Sequence, residues 1–306
     1  ILPNIILFWI PLKSLTPMKY KLKHQTLYTY VNSVHNYQGV LCLQPLNTAN
    51  QVCKNFQLEI EPKPSKIYSR KDFFGNTKHY FSIHEPHKIL KVTVSSDIEI
   101  SPKTNPSIHY VTCQEAIDLF KNNNQLKTDL LQFQLPSTYV QWDEEIQEFA
   151  FSCLAPNTPL FDAVSQLSKK IYTEFQFKSG VTSVNTPLKT VLKEKKGVCQ
   201  DFSHLAIACL RSVGLAARYV SGYIETIPPK GKPKLQGTDA SHAWISVYIP
   251  DMGWCEFDPT NNMIPQDKHI ITAYGRDYAD VSPLKGIIFS TGEHKVKVEV
   301  DVVREE

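Results

Sequence analysis

The hydrophobic pattern changes period along the chain. From residue 19 to 100 it alternates. Tyr20, Leu22, His24, Thr26, Tyr28 and Tyr30 are interleaved with Lys, Gln and Thr, the period of a strand with one buried face. Val40-Leu41-Cys42-Leu43, Phe56-Gln57-Leu58-Glu59-Ile60 and Leu90-Lys91-Val92-Thr93-Val94 repeat the theme, punctuated by Pro62, Pro64, the Phe74-Gly75-Asn76 turn and Pro86. This predicts an antiparallel sandwich or barrel.

Beyond residue 110 the period lengthens to about 3.6. Gln114–Lys121 reads as a short helix, and Asp143–Leu154 places Ile146, Phe149, Ala150 and Cys153 on one face. Thr158-Pro159 reads as an N-cap and first-turn proline. They introduce a stripe of Phe161, Val164, Ser168, Ile171 and Phe175. Pro187–Lys195 is helical and Gly197-Val198 interrupts it. Cys199–Val213 is apolar on most faces, which predicts a buried central helix ending at Gly214. Ala217–Ile224, His242–Ile249 and Trp254–Asp258 read as strands, the last two joined by the turn Pro250-Asp251-Met252-Gly253. Val296, Val298, Val300 and Val302 form a final strand. The expectation is an α+β protein: an all-β, sandwich-like domain over residues 18–105, then a helical connector and catalytic domain over 106–306.

Length and composition agree with two folded domains. The chain has 306 residues, 42% hydrophobic and 21% charged, enough apolar surface for a sizeable core. Residues 1–111 carry 13 Lys+Arg against 6 Asp+Glu, and the remainder 20 against 24. The net charge of +3 is too small to argue for nucleic acid. The basic first part reads as a lysine-rich solvated surface, with a docking face for an acidic partner as the sharper alternative. Seven scattered cysteines without a C-x-x-C pair or zinc spacing argue against a disulfide framework and a metal site, and favour a reducing, cytoplasmic compartment. Residues 1–17 contain the run Ile5-Ile6-Leu7-Phe8-Trp9-Ile10, too short to span a bilayer. They read as an extension outside the fold, with a truncated export signal or an edge strand as alternatives; no membrane partner is expected.

Three segments carry the candidate chemistry. Cys199 follows a glycine break at the start of a buried helix, where the partial positive charge of the helix end favours a thiolate and unpaired N–H groups can donate to an oxyanion. His242 opens a strand and Asp258 lies near the end of the next, 16 residues on. Their side chains share a face if the hairpin loop holds an odd number of residues or a bulge. Asp258 could then orient the imidazole and His242 could take the Cys199 proton. Taken singly, each has a plain structural reading: a buried cysteine, a core histidine, a turn cap before Pro259. Gln200, Asp201 and His204 lie within the first turns of the same helix; Asp201 and His204 could support the reacting groups from behind, or could only satisfy the helix end. Tyr219 reads as core or cleft wall. Trp244 is expected to pack over the site, with its indole as an alternative donor to the oxyanion.

Gly197-Val198-Cys199-Gln200-Asp201-Phe202-Ser203-His204-Leu205, Cys209–Tyr223, Ser241-His242-Ala243-Trp244 and Phe257-Asp258-Pro259-Thr260-Asn261-Asn262 resemble the bacterial transglutaminase-like family. Tyr274–Val281 resembles the segment after its Asp motif, and Met18 to about Pro102 its N-terminal domain. The resemblance implies a papain-like core with a Cys-His-Asp triad: Cys199 as nucleophile, His242 as base then acid, Asp258 as orienting residue. It implies a protein or peptide substrate and no cofactor. Calcium dependence is not carried over, because no oxygen-rich ligand spacing occurs. Hydrolysis through a thioester is the leading expectation. Amine transfer to glutamine and a non-catalytic interaction module on the same fold are the alternatives. Oligomeric state is not legible.

Overall fold

The computed structural model describes residues 16–103, 110–226, 241–289 and 292–305. The extension therefore lies, but for its last two residues, outside the described residues, as do residues 227–240 and the boundary at 105.

The first region folds on strand β1 (Met18–Leu41). Its first half pairs antiparallel with β5 (His87–Ile100) on one side and β13 (His294–Glu305) on the other. After an irregularity between Thr29 and Val34 the strand passes into a second layer, pairing with β4 (Thr77–Ile83) and β12 (Leu284–Phe289). β2 (Gln51–Glu61) extends the first layer beyond β5, and β3 (Ile67–Lys71) the second beyond β4. Tyr30, Val34, Tyr37 and Leu41 of β1 pack with Phe81, Ile83, Leu90, Val92 and Val94 as one apolar cluster, giving a sandwich-like body. The alternating valines do form the last strand, but it belongs here. β12 and β13 bring the end of the chain back onto β1, β12 in the second layer and β13 in the first. Pairing along the whole of Lys19–Tyr30 covers an edge that β1 would otherwise expose.

Helices then follow: α1 (Cys113–Asn122), α2 (Asn124–Leu130), α3 (Glu144–Phe151) and α4 (Leu160–Glu174). The expected cap at Thr158 is displaced by one residue. Pro159 occupies the N-cap position without a side-chain bond, because Thr112 and Pro159 bridge and the Thr158 carbonyl accepts from Cys113 N–H.

Strands β6 (Gln176–Phe177) and β7 (Lys196–Gly197) pair in parallel around α5 (Leu188–Glu194). The central helix α6 (Cys199–Ser212) is buried over most of its length and packs on a four-stranded antiparallel sheet. That sheet runs in the order β10 (Gly253–Phe257), β9 (Ser241–Ile249), β8 (Ala217–Ile224), β11 (His269–Gly275), with α7 (Tyr278–Val281) following. Ala217, Tyr219, Ala243, Ile245, Val247, Phe257 and Ala273 join the core with α6.

The free edge of β11 is closed by side-chain amides from the first region. Gln51 Nε2 donates to the Ile271 carbonyl at 2.8 Å and its Oε1 accepts from Ile271 N–H at 2.8 Å. Asn76 does the same at Tyr274, donating at 2.7 Å and accepting at 2.8 Å. Two amides thus stand in for a neighbouring strand and fix the two sheets against each other. Tyr223 Oη and His24 Nδ1, 2.9 Å apart and buried, add a third link.

Candidate active site

Cys199 is set by its local chain. Lys195 ends α5 in the left-handed region, and the β6–β7 pair holds the chain entering α6. Asp201, the third residue of α6, reaches back so that its Oδ2 accepts from Val198 N–H at 2.8 Å and from Thr182 Oγ1 at 2.7 Å. Gly197 makes room for this: a Cβ there would stand 2.8 Å from Asp201 Oδ2. Asp201 therefore satisfies the helix end, the plainer of its two readings, and burial raises its pKa against those two hydrogen bonds. Cys199 itself is half-buried.

The β9–β10 register meets the parity condition. Ile249 pairs with Gly253, so three residues form the loop, and Phe257 pairs with Ile245. One step on, Asp258 comes opposite Trp244, on the face that also carries His242. Beyond the strand Asp258 forms a bridge with Met263. His242 Nε2 and Asp258 Oδ2 are 2.7 Å apart.

Asp258 is fully buried, and its two oxygens accept from five groups. Oδ2 takes His242 Nε2, His269 Nε2 at 3.1 Å and Asn261 Nδ2 at 2.7 Å. Oδ1 takes the N–H groups of Thr260 at 3.0 Å and Asn261 at 3.2 Å. Burial alone would favour the protonated acid. The bonds from His242 and His269 outweigh it and hold the carboxyl well below the usual carboxylate range. For His242, burial alone would favour the neutral ring. Hydrogen bonds to Asp258 and to Cys199 outweigh it and raise its pKa to about 10. With Nε2 committed to Asp258, Nδ1 is the nitrogen left for the thiol. The structure thus brings Cys199, His242 and Asp258 together.

The other predicted residues divide. Trp244 stacks on the His242 ring, centroids 5.8 Å apart, but is fully buried with Nε1 shut from solvent. Its tip packs toward Gly222, where a Cβ would stand 2.7 Å from it, so the indole backs the imidazole and does not reach an oxyanion. Tyr219 is buried beside Cys199, whose charge adds to burial in raising the phenol well above its ordinary pKa. His204 is turned away from the thiol: its Nε2 accepts from Tyr278 N–H at 3.1 Å, its ring packs with Tyr139 and Tyr219, and burial lowers its pKa to about 4. Gln200 is half-buried in the first turn and makes no side-chain hydrogen bond among the described residues. Sequence reasoning missed His269 and gave Asn261 no role. His269 lies on β11, whose run Ile270-Ile271-Thr272-Ala273-Tyr274 was a strand signal, but nothing local links it to Asp258.

His242, Asp258 and His269 are also the one trio among the described residues whose donor atoms, within 4.8 Å, have metal-ligand spacing. The 2.7 and 3.1 Å separations and the five donors already on Asp258 are those of a closed hydrogen-bond cluster.

Comparison with known proteins agrees with this geometry. Residues 147–259, which hold Cys199, His242 and Asp258, match the transglutaminase-like superfamily, and residues 20–99 match the bacterial transglutaminase-like N-terminal region. An uncharacterized protein of Mycobacterium tuberculosis is 39% identical over 296 residues, covering 93% of this chain and 92% of its own. A shorter segment of 73 residues is 32% identical to the protein-glutamine gamma-glutamyltransferase of Pseudomonas aeruginosa, 24% of this chain and 11% of that protein. A crystal structure of a candidate cysteine protease from Cytophaga hutchinsonii shares the fold, with a TM-score of 0.76 at 21% identity over 95% of this chain and 91% of that one. The chain therefore belongs to the transglutaminase-like superfamily and carries the N-terminal region of its bacterial members.

Proposed function

We propose that the protein is a cysteine-dependent acyl-transfer enzyme acting on a carboxamide or peptide bond of a protein or peptide, with Cys199, His242 and Asp258 as its triad. The observation that carries the reading is the placing of one imidazole between a half-buried thiol and a fully buried carboxylate.

His242 Nδ1 takes the Sγ proton, and the thiolate attacks the substrate carbonyl carbon. The tetrahedral oxyanion forms beside the start of α6, where the Cys199 N–H is free to donate. Collapse breaks the C–N bond, and the leaving nitrogen takes the proton from the imidazolium, giving a thioester and a free amine. Asp258 keeps the ring in place and stabilises its charged form throughout. Water, activated by His242, then releases the acid and regenerates the thiol. Hydrolysis is the leading reaction because water needs no constructed second site. Amine transfer is the second reading, favoured by the segment shared with the Pseudomonas aeruginosa transferase. The seven free cysteines support residence in the cytoplasm. Among the described residues no helix is long and apolar enough to cross a membrane.

The test is brief iodoacetamide treatment near neutral pH with peptide mapping, followed by glutamine-containing peptides with and without added amine. One fast adduct on Cys199, slowed in His242→Ala, is the expected result. Ammonia release without amine incorporation makes the enzyme a hydrolase, and incorporation makes it a transferase. Uniformly slow alkylation of all seven cysteines overturns the reading and leaves a binding module.

A further inference from the structure

A cavity of about 550 Å³ opens between the two sheets, away from the triad: neither Cys199 nor His242 lines it. Arg218 on β8 lines it. The Arg218 guanidinium lies between two rings, its Cζ 3.6 Å from the centroid of Tyr274 and 4.2 Å from that of Trp254. Both faces of the cation are covered, so its donors are left only along its edge.

Those donors have nothing to bind. Arg218 makes no hydrogen bond or ion pair among the described residues, and its Nε is shut from solvent without a partner. The nearest acid is already engaged: Glu256 Oε2 lies 2.9 Å from Lys103 Nζ, which also donates to the Pro265 carbonyl at 3.1 Å. Lys103 and Glu256 both line the cavity and cancel, which leaves it with the single positive charge of Arg218. Ser246, in the same cross-strand row between Arg218 and Glu256, is a second buried orphan at its Oγ. Arg211 on α6 shows what a structural arginine looks like in this protein. It is buried where Arg218 is half-buried, and its nitrogens donate to the carbonyls of Leu135, Ala217 and Arg276 and to Ser137. An arginine keeps its proton, and the solvent-shut Nε stays unpaired until an anion completes the site. The planar edge of a guanidinium matches a carboxylate in two parallel bonds. Phe161, Ile264 and Ile271 stand beside the two aromatic rings as apolar wall, with Thr48, Asn50 and Gln266 adding polar groups.

We propose that this cavity binds an organic carboxylate with an apolar body, its carboxylate on the edge of Arg218 and its body among the aromatic walls. The site is separate from the triad and stands whether or not the reaction proposed above is correct.

Trp254 covers the guanidinium, so its indole N–H reports occupancy. In nitrogen-15 correlation spectra, with the resonance assigned through Trp254→Phe, phenylacetate is expected to move that signal saturably. Phenylacetamide has the same body without the charge, and inorganic phosphate has the charge without the body; both are expected to leave it nearly unmoved. Arg218→Gln should weaken phenylacetate by at least about tenfold. If that variant does not fold, the three probes on the unaltered protein decide alone. An equal response to phenylacetamide, a stronger response to phosphate, or no saturable shift with phenylacetate overturns the proposal, as does undiminished binding by a folded Arg218→Gln protein.

Discussion

His269 and His242 donate to the same oxygen, Oδ2 of Asp258, at 3.1 and 2.7 Å. The two rings come from non-adjacent strands, β11 and β9, with centroids 6.0 Å apart, and Trp244 packs against both, edge-on to His269 at 5.0 Å and stacked on His242. The carboxylate is thus held from both sides.

His269 acts through Asp258 and does not touch the thiol, so it is a positioning residue. Replacing it with Phe keeps the packing on Trp244 and removes one charge-assisted donor. Such a bond is worth about 1.5–3 kcal/mol. The expected result is a loss of about tenfold or more in kcat with KM unchanged, and a weaker preference for Cys199 in alkylation. Retained kcat in a folded His269→Phe enzyme would show that the second histidine only fills space.

Gly197 couples the cap to the nucleophile. A methyl group at that position meets Asp201 Oδ2 and Cβ at 2.8 and 2.9 Å, and the carboxylate must leave Val198 N–H to avoid it. Gly197→Ala and Asp201→Ala are therefore expected to cost a similar amount, about 1 kcal/mol of unfolding free energy for the lost cap. Both should slow Cys199 alkylation by loosening the first turn of α6. Urea unfolding and timed alkylation measure the two effects. If Gly197→Ala is neutral in both, the cap does not depend on the missing side chain.

The link across the edge of β11 can be cut by one atom group at a time. Gln51→Ala removes three bonds, one to the Leu46 C=O and two at Ile271, and strands Ile271 N–H in a buried setting, while the Ile271 C=O keeps Leu46 N–H; Asn76→Ala removes one to Asp72 and two at Tyr274. Three net hydrogen bonds come to about 2–4 kcal/mol for either change. Hydrogen exchange at the Ile271 and Tyr274 amides should accelerate selectively in the corresponding variant. Unchanged exchange and stability would mean that water replaces the amides without cost.

What the sequence disclosed follows from where its signals are local. The alternation of Tyr20, Leu22, His24 and Thr26 is reproduced as buried positions because one face of β1 meets a core along its whole length. α6 was legible from its unbroken apolar character and its glycine boundaries, and the nearness of His242 and Asp258 from their spacing across a tight turn; the four-residue turn expected there would have put them on opposite faces, and they share one because Gly253 joins β10 and leaves three loop residues. The partners of those elements were not legible. β13 alternates as a strand should, yet nothing in its valines says that it pairs with Lys19–Tyr30 rather than within the second sheet. His269, Gln51 and Asn76 act across more than ten, or nearly two hundred or more, residues of chain, where no periodicity connects donor to acceptor. Trp244 packs on the His242 ring, and its burial depends on the close approach that Gly222 permits, which no local pattern announces.

The raised pKa of His242 gives a pH signature to both stability and chemistry. An unfolded histidine titrates near 6.5, and in the folded protein the bonds to Asp258 and Cys199 carry it, against burial, to about 10. Folding therefore favours the charged ring. The stability this contributes is complete below about pH 6.5 and is lost as the pH rises through about 10. His242→Gln should remove that dependence, so the two unfolding curves should converge at high pH. In the reaction the same proton is the one delivered to the leaving nitrogen. Above about pH 10 the acid is gone, and kcat/KM for an amide substrate should fall by about tenfold per pH unit. A p-nitrophenyl ester of the same acyl group has a leaving group that needs no proton, and iodoacetamide needs only the thiolate. Both should keep their rates through pH 10. A fall shared by amide, ester and alkylation would point to unfolding, and an amide rate that holds its value well above pH 10 would remove His242 from the role of acid.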